Sequence, residues 1–238
     1  REHHWMSISS PVGTQITQAV GFAWAGKLRK EDMVSLVFFG DGATSSNEFH
    51  AGMNFAGVFK IPTVFLCRNN GWPISVPVER QTASKTFAEK GDAYGVPNVR
   101  VDGNDLFAVV AEVRRAVERA SAGGGATLIE ALTYRMGGHS TSDDPNAYRG
   151  QADLEAWKPR DPVERVRKHL MARGAWSDAQ ELALRSEQEA RFKALVADSE
   201  KVPKPPVESL FEDVYAEPTW NLKEQRVELL TGPRAPEH

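Results

Sequence analysis

A chain of 238 residues, 41 % hydrophobic and 26 % charged, carries enough apolar material for a sizeable core and has the composition of an ordinary globular protein. Its formal net charge of −3 lacks the basic excess of a nucleic-acid binder, and no apolar run approaches the roughly 20 residues of a membrane span. The expectation is a soluble protein with a small-molecule or protein partner, built as one domain of moderate size plus an appendage. The single cysteine, Cys67, lies in an apolar run, which excludes an internal disulfide and suits a buried, inert thiol in a reducing compartment. The chain opens at Arg1 without a methionine, and "REHHWMSISSP" lacks the long apolar core of a signal peptide, so it reads as a fragment.

In chain order, small and apolar residues recur at helical spacing from Gly13 to about Lys30 (Ile16, Ala19, Val20, Ala23, Trp24), with Ser10 and Pro11 suited to the N-cap and first helical position. "MVSLVFF" (Met33 to Phe39) and "TVFLC" (Thr63 to Cys67) are short continuous apolar runs, expected to be parallel strands covered on both faces. Ser46 to Phe59 between them has the length and pattern of a crossover helix. A helix around Ala83 to Tyr94, a strand at Val99 to Val101, a long helix from Asp105 to Ser121, and a strand "TLIEAL" after the Gly123 to Gly125 turn follow. This alternation predicts an α/β fold, a doubly wound and mainly parallel sheet flanked by helices, with ligands outside the carboxyl ends of the strands. The polar, glycine-bearing stretch from Gly137 to Gly150 is too long for a plain connector and reads as a functional loop. Two charged amphipathic helices, Pro162 to Arg173 and Asp178 to Asp198, come next; "KVPKPP" interrupts the pattern and "VESLFEDVY" resumes it. The expected division is an α/β domain over residues 1–150 and a helical extension over 151–238.

Asp41, in "GDG", and Asn70, in "RNNGW", fall at the ends of the first two expected strands. Magnesium takes six oxygen ligands and is usually held by one or two protein oxygens while phosphate and water fill the rest, which one Asp and one Asn satisfy. Gly40 and Gly42 allow close backbone approach to a phosphate, the following helix would aim its amides at the anion, and Arg68 adds positive charge. Taken singly, each tripeptide is an ordinary tight turn. "VDGND" (Val101 to Asp105) supplies a control: it too follows a strand, yet the residue at the matching distance downstream is Ala131, so it reads as a helix entry only. The order strand, GDG, helix, strand, NN therefore points to Mg²⁺ bridging a diphosphate.

GDG followed after about thirty residues by NN resembles the thiamine diphosphate motif. "ISSPVGTQ", "CRNNGWPIS", "RVDGNDLFAV", "TYRMGGHSTSDDPNAYR" and "PKPPVESLFEDVYAE" extend the resemblance over nearly the whole chain to the α subunit of E1 components of 2-oxo acid dehydrogenase complexes, the branched-chain 2-oxo acid enzymes in particular. "ISVPVERQTASKT" and "NLKEQ" also resemble bacterial pyruvate dehydrogenase α chains, which keeps that substrate as an alternative, with a non-catalytic subunit of the same fold as a third. The resemblance implies thiamine diphosphate-dependent oxidative decarboxylation of 3-methyl-2-oxobutanoate and related 2-oxo acids, with acyl transfer to lipoyl-bearing E2. It further implies an α₂β₂ assembly with a β subunit that supplies the activating carboxylate; Glu48 reads only as an early-helix residue. A bacterial cytoplasmic setting is favoured, or the mitochondrial matrix if the source is eukaryotic.

Carried over residue by residue, the resemblance implies that Asp41, the Asn70 side chain and the Trp72 carbonyl hold Mg²⁺. Gly40, Gly42 and Ala43 would line the diphosphate, Arg68 would pair with it, and Ser10 and Val12 would lie by the aminopyrimidine. Ser9, Pro11, Thr14 and Gln15 match a K⁺ site of some members and equally suit a helix N-terminal cluster. His139 matches a catalytic histidine beside the diphosphate that assists acyl transfer, and Ser140 a serine phosphorylated in mitochondrial members, with Asp143, Tyr148 and Arg149 ordering the loop. A dianionic phosphate on Ser140 would repel the diphosphate and disorder that loop. His3, His4, His50 and His169 have no pair of partners at metal spacing and read as bystanders.

Overall fold

The computed structural model describes residues 4–6, 9–212 and 215–233, which leaves His3 outside. The chain divides into two compact units, Arg1–Ala175 and Trp176–His238. In the first, β1 (Ser35–Gly40) and β2 (Thr63–Asn69) are the two continuous apolar runs, β4 (Thr127–Leu132) is "TLIEAL", and β3 (Asn98–Asp102) is the short strand before the "VDGND" turn. All pair in parallel, in the order β1-β2-β4-β3. Helices lie on both faces. Alternate side chains Val37, Phe39, Phe65, Cys67 and Leu128 meet Ile16, Val20 and Ala23 of α1 (Thr14–Arg29) and Phe49, Met53 and Ala56 of α2 (Asn47–Val58) in the main core. On the other face Val64 and Ile129 pack on Ala116 of α3 (Leu106–Arg119).

Local chemistry accounts for the helix ends. Ser46 caps α2 by accepting from the Phe49 amide at 3.3 Å, and Asp105 caps α3 by accepting from Phe107 and Ala108 at 3.0 and 3.1 Å. Lys27, one helix away, donates to the Phe59 and Lys60 carbonyls at 2.7 and 3.0 Å, satisfying the C-terminal end of α2. Each replacement of such a cap costs about 1 kcal/mol in comparable helices.

Several expectations are corrected. Helix α1 is capped not by Ser10 with Pro11 at the first turn but by Gly13, at φ 92°. A Cβ there would stand 2.3 Å from Ser46 Oγ, so the close approach of α1 to the start of α2 demands glycine. The helix expected around Ala83 to Tyr94 is a 3₁₀ segment over Ala88–Tyr94, preceded by another over Val78–Arg80 and by irregular chain. Here Phe87 and Ala88 are buried by long-range packing, which decides the backbone more than helical spacing does. Strand β1 is covered on one face only: it is the sheet edge, and Leu36 and Phe38 are 40 % and 49 % exposed on the side where α3 packs over its neighbours.

Beyond the sheet, the first unit continues through α4 (Gln151–Trp157) and α5 (Pro162–Ala172), the latter capped by Asp161. Helix α4 is not foreseen by the sequence pattern; Trp157 at its end stacks on Tyr134 at 5.4 Å. Arg165 of α5 pairs with Asp102 and Asp105 at 2.8 and 3.0 Å, tying α5 to the entry of α3. The second unit holds α6 (Asp178–Ser199), exposed along its length and laced with Glu181–Arg185 and Glu189–Lys193 pairs at i,i+4. The expected helix in "VESLFEDVY" is one turn, α7 (Ser209–Glu212), with Asp213 and Val214 outside the described residues. An unexpected α8 (Trp220–Thr231) follows. No helix among the described residues is long and apolar enough to cross a membrane.

Candidate cofactor and metal site

Parallel pairing sets Gly40 of β1 opposite Arg68 of β2, so Asp41 and the asparagine pair emerge side by side at the carboxyl edge of the sheet. The chain turns at once into a 3₁₀ segment, Asp41–Ser45, whose backbone packs against the next turn: a Cβ on Gly42 would lie 3.0 Å from Pro73 Cβ. A Cβ on Gly40, by contrast, would meet no atom within 4 Å. A side chain on Gly42 would thus crowd Pro73, while at Gly40 the fold leaves room for a Cβ beside the backbone.

Asp41 is 2 % exposed. Its Oδ1 accepts from the Gly42 amide at 3.1 Å, and its Oδ2, also buried, accepts no hydrogen bond among the described residues. Burial pushes the Asp41 carboxyl above its ordinary value and Glu130 adds to that, against the Gly42 amide and the Arg135 guanidinium. A buried carboxylate oxygen without a donor is costly in isolation, and a proton or a cation relieves that cost. The turn holding it is fixed from below: the Asp41 carbonyl accepts from Thr44 Oγ1 and Gln81 Nε2, both at 2.8 Å, and Lys90 Nζ donates to Thr44 Oγ1 at 3.0 Å.

On the adjoining turn, Asn70 Oδ1 accepts from the Trp72 amide at 3.0 Å, an Asx turn that holds Asn70 beside the site. The Trp72 carbonyl accepts from Arg135 Nη1 at 2.9 Å, which leaves it one lone pair. Arg135 also donates through Nη2 to the Ile74 carbonyl at 2.6 Å and to Tyr148 Oη at 2.9 Å. Tyr148 in turn donates to Asp143 Oδ2 at 2.6 Å, and the His139 amide donates to the same oxygen at 2.6 Å. Trp72 and Tyr148 meet at 5.3 Å between ring centroids. Arg149 closes the loop base on the carbonyls of Arg135, Met136 and Gly137 and lies over the Tyr134 ring at 5.2 Å. The His139 loop is therefore latched to the Asn70–Trp72 turn through Arg135. Hydrogen bonds from His139 and Tyr148 hold the Asp143 carboxyl below its ordinary value.

The structure brings Asp41, Asn70 and Trp72 to one edge and ties His139 and Ser140 to it through the loop; His139 and Ser140 are exposed. Ala43 is part of the main core, so only its backbone is available to a ligand. Arg68 is exposed, on the sheet face opposite Cys67, and makes no hydrogen bond or ion pair among the described residues. At the start of α1, Ser10 and Val12 are exposed, Thr14 Oγ1 donates to the Pro11 carbonyl at 3.0 Å, and Gln15 Nε2 donates to the Phe38 carbonyl at 3.1 Å. Pro11 and Thr14 thus satisfy each other in a helix-entry turn. Cys67 is fully buried and its thiol is pushed up by burial, then by Asp41 and Glu130, which removes it as a nucleophile. Sequence reasoning missed Arg135, Gln81, Lys90 and the fully buried Glu130. Only Glu130 carried a signal, an acid inside an otherwise apolar strand.

Residues 1–208 match the family described as "Dehydrogenase E1 component". The chain is 44 % identical over 230 residues to "2-oxoisovalerate dehydrogenase subunit alpha, mitochondrial" of Bos taurus, covering 96 % of this chain and 50 % of that protein. It is 45 % identical over 225 residues to "3-methyl-2-oxobutanoate dehydrogenase subunit alpha" of Mycobacterium tuberculosis, covering 93 % and 60 %. The chain thus spans between half and three-fifths of the length of these relatives. A solved Mycobacterium smegmatis structure, described as thiamin diphosphate-dependent, aligns over 53 % of this chain and 23 % of its own at 22 % identity, with a TM-score of 0.44.

Proposed function

The chain belongs to the family of dehydrogenase E1 components, and on that premise we propose that it is the cofactor-holding part of the α subunit of a branched-chain 2-oxo acid dehydrogenase. Its substrates are 3-methyl-2-oxobutanoate and related 2-oxo acids, its cofactors thiamine diphosphate and Mg²⁺, and its partners a β subunit in an α₂β₂ assembly and the lipoyl group of E2. The observation that carries this reading is the buried Asp41 Oδ2, which has no hydrogen-bond partner among the described residues, at a strand end adjoining the Asn70–Trp72 turn. The relatives' names support the substrate class.

When bound, thiamine diphosphate supplies what no side chain can: a carbon nucleophile for the 2-oxo group and a place for the electron pair released with CO₂. Asp41 Oδ2, Asn70 and the free lone pair of the Trp72 carbonyl would hold the cation; Arg68 would add positive charge for the diphosphate. His139 would serve the acyl-transfer step from a loop whose position Asp143, Tyr148 and Arg135 fix. In this scheme the cofactor-holding part ends near residue 150, α4 and α5 complete the same compact unit, and the helices beyond it serve assembly. Ser140 Oγ lies 3.1 Å from Ser142 Oγ in the same loop, so a phosphate there would add charge where the latch forms.

The test is decarboxylation by the whole subunit co-expressed with its β chain. A kcat/KM for 3-methyl-2-oxobutanoate above that for pyruvate is expected. The reverse preference would reassign the chain to pyruvate dehydrogenase, and calorimetric binding of thiamine diphosphate with Mg²⁺ but no turnover would mark a non-catalytic subunit.

A further inference from the structure

Glu130 lies at the centre of β4 and is 0 % exposed, yet it faces no ligand in the scheme above. Both of its oxygens are acceptors: Oε1 takes the Asn69 amide nitrogen at 2.7 Å, with Arg100 Nε at 3.5 Å, and Oε2 takes the Ala88 amide at 2.9 Å. Asn69 is itself 4 % exposed, and its backbone carbonyl is held by the Thr133 amide and hydroxyl at 2.7 and 3.2 Å. Its remaining side-chain atom, Oδ1, accepts from the Gly71 amide at 3.0 Å. An amide side chain can present its NH₂ to one side and its oxygen to the other, and a carboxylate offers no donor. Glu130 therefore dictates which way Asn69 points, and only this orientation leaves an acceptor for the Gly71 amide. Gly71, at φ 83°, is the pivot between Asn70 and Trp72.

We propose that Glu130 is a positioning residue of the metal site: through the Asn69 amide it fixes the Gly71 turn and so the directions of the Asn70 side chain and the Trp72 carbonyl. The ligand roles of Asn70 and Trp72 rest on the function proposed above; the orientation of Asn69 does not.

Glu130→Gln separates orientation from bulk. The introduced glutamine keeps an oxygen for the Ala88 amide, so its NH₂ faces Asn69; Asn69 must then turn, and its own NH₂ meets the Gly71 N–H. In the assembled enzyme, the Mg²⁺ concentration for half-maximal thiamine diphosphate binding should rise at least about tenfold, the low end of what one lost and one unsatisfied buried hydrogen bond cost. The kcat at saturating metal and cofactor should stay within about twofold, since the chemistry of the site is untouched. Hydrogen exchange over residues 69–72 should accelerate. Asn69→Asp alone sets two carboxylates face to face and should weaken Mg²⁺ binding at least as much. The double variant Glu130→Gln/Asn69→Asp restores a donor facing an acceptor and leaves an acceptor for Gly71, so metal dependence and exchange should return to within about threefold of wild type.

Wild-type metal dependence and exchange in Glu130→Gln would overturn the proposal. So would a double variant whose loss is the product of the two single losses, because independent destabilisation would then suffice. A wild-type assembly that binds no thiamine diphosphate would refute the proposed function instead. Exchange at residues 69–72 in the single and double variants would still decide whether Glu130 orients Asn69.

Discussion

Replacing Asp41 by asparagine tests whether the buried carboxylate is built for a cation. The side chain is 2 % exposed and its Oδ2 has no donor among the described residues, so in the metal-free protein, at a pH above the raised carboxyl value, a charged acceptor stands unsatisfied. The substituted amide would keep the Oδ1 contact to the Gly42 amide and exchange a charged orphan for a neutral one. An unsatisfied buried neutral group costs about 1–3 kcal/mol and a charged one more. The difference should favour Asp41→Asn by about 1 kcal/mol without metal, which for a chain of this size is a thermal midpoint about 2–4 °C higher. The pH dependence has a defined sign. Because burial raises the Asp41 value in the fold, the folded state keeps its proton longer than the unfolded state, so wild-type stability declines as pH rises from the ordinary carboxylate value through the raised one. The advantage of the variant should therefore appear above that window and vanish below it. With Mg²⁺ and thiamine diphosphate at about a hundredfold their Kd, wild type should gain about 2.7 kcal/mol and the variant almost nothing. Thermal unfolding of the assembled subunit, with and without the ligands and across pH, makes the comparison. A variant that is less stable without metal and retains the ligand-induced shift would refute the cation reading.

Asp143→Asn should loosen the His139 loop at neutral pH as acid does in wild type. The hydrogen bonds from His139 and Tyr148 depress the Asp143 value, so loop order is present above the ordinary carboxylate value and is lost as pH falls through the depressed one. Hydrogen exchange over residues 137–149 reads this, and unchanged exchange would remove Asp143 from the latch. Gly13→Ala places a methyl 2.3 Å from Ser46 Oγ at a φ of 92°, and should destabilise the α1–α2 contact by about 2 kcal/mol, measured by denaturant unfolding. An effect under about 0.5 kcal/mol would mean that the two helix starts separate freely.

What could be read from the sequence was what depends on neighbours along the chain. The strands of Val37, Phe65 and Ile129 show as apolar runs stopped by glycine or polar residues, and α2 and α3 announce themselves through the caps Ser46 and Asp105. The pairing of Asp41 with Asn70 followed from the same local logic, since a β-α-β unit in parallel register brings consecutive strand ends together. What stayed hidden depends on partners distant in sequence. Gly13 caps α1 because of Ser46, and Phe87 leaves the helical pattern because it is buried in the main core. Arg135 looks like any polar residue after a strand, yet it reaches back over 63 positions to the Trp72 carbonyl and 13 forward to Tyr148. Glu130 reaches 61 positions to Asn69. The sequence motif thus names the atoms proposed to meet the cofactor, while the carboxylate and guanidinium proposed to aim them are set by the sheet order, in which β4 lies directly beside β2. It follows that a chain could keep GDG and NN intact and still lose metal affinity through a change in β4, which is where variants that spare the motif are best sought.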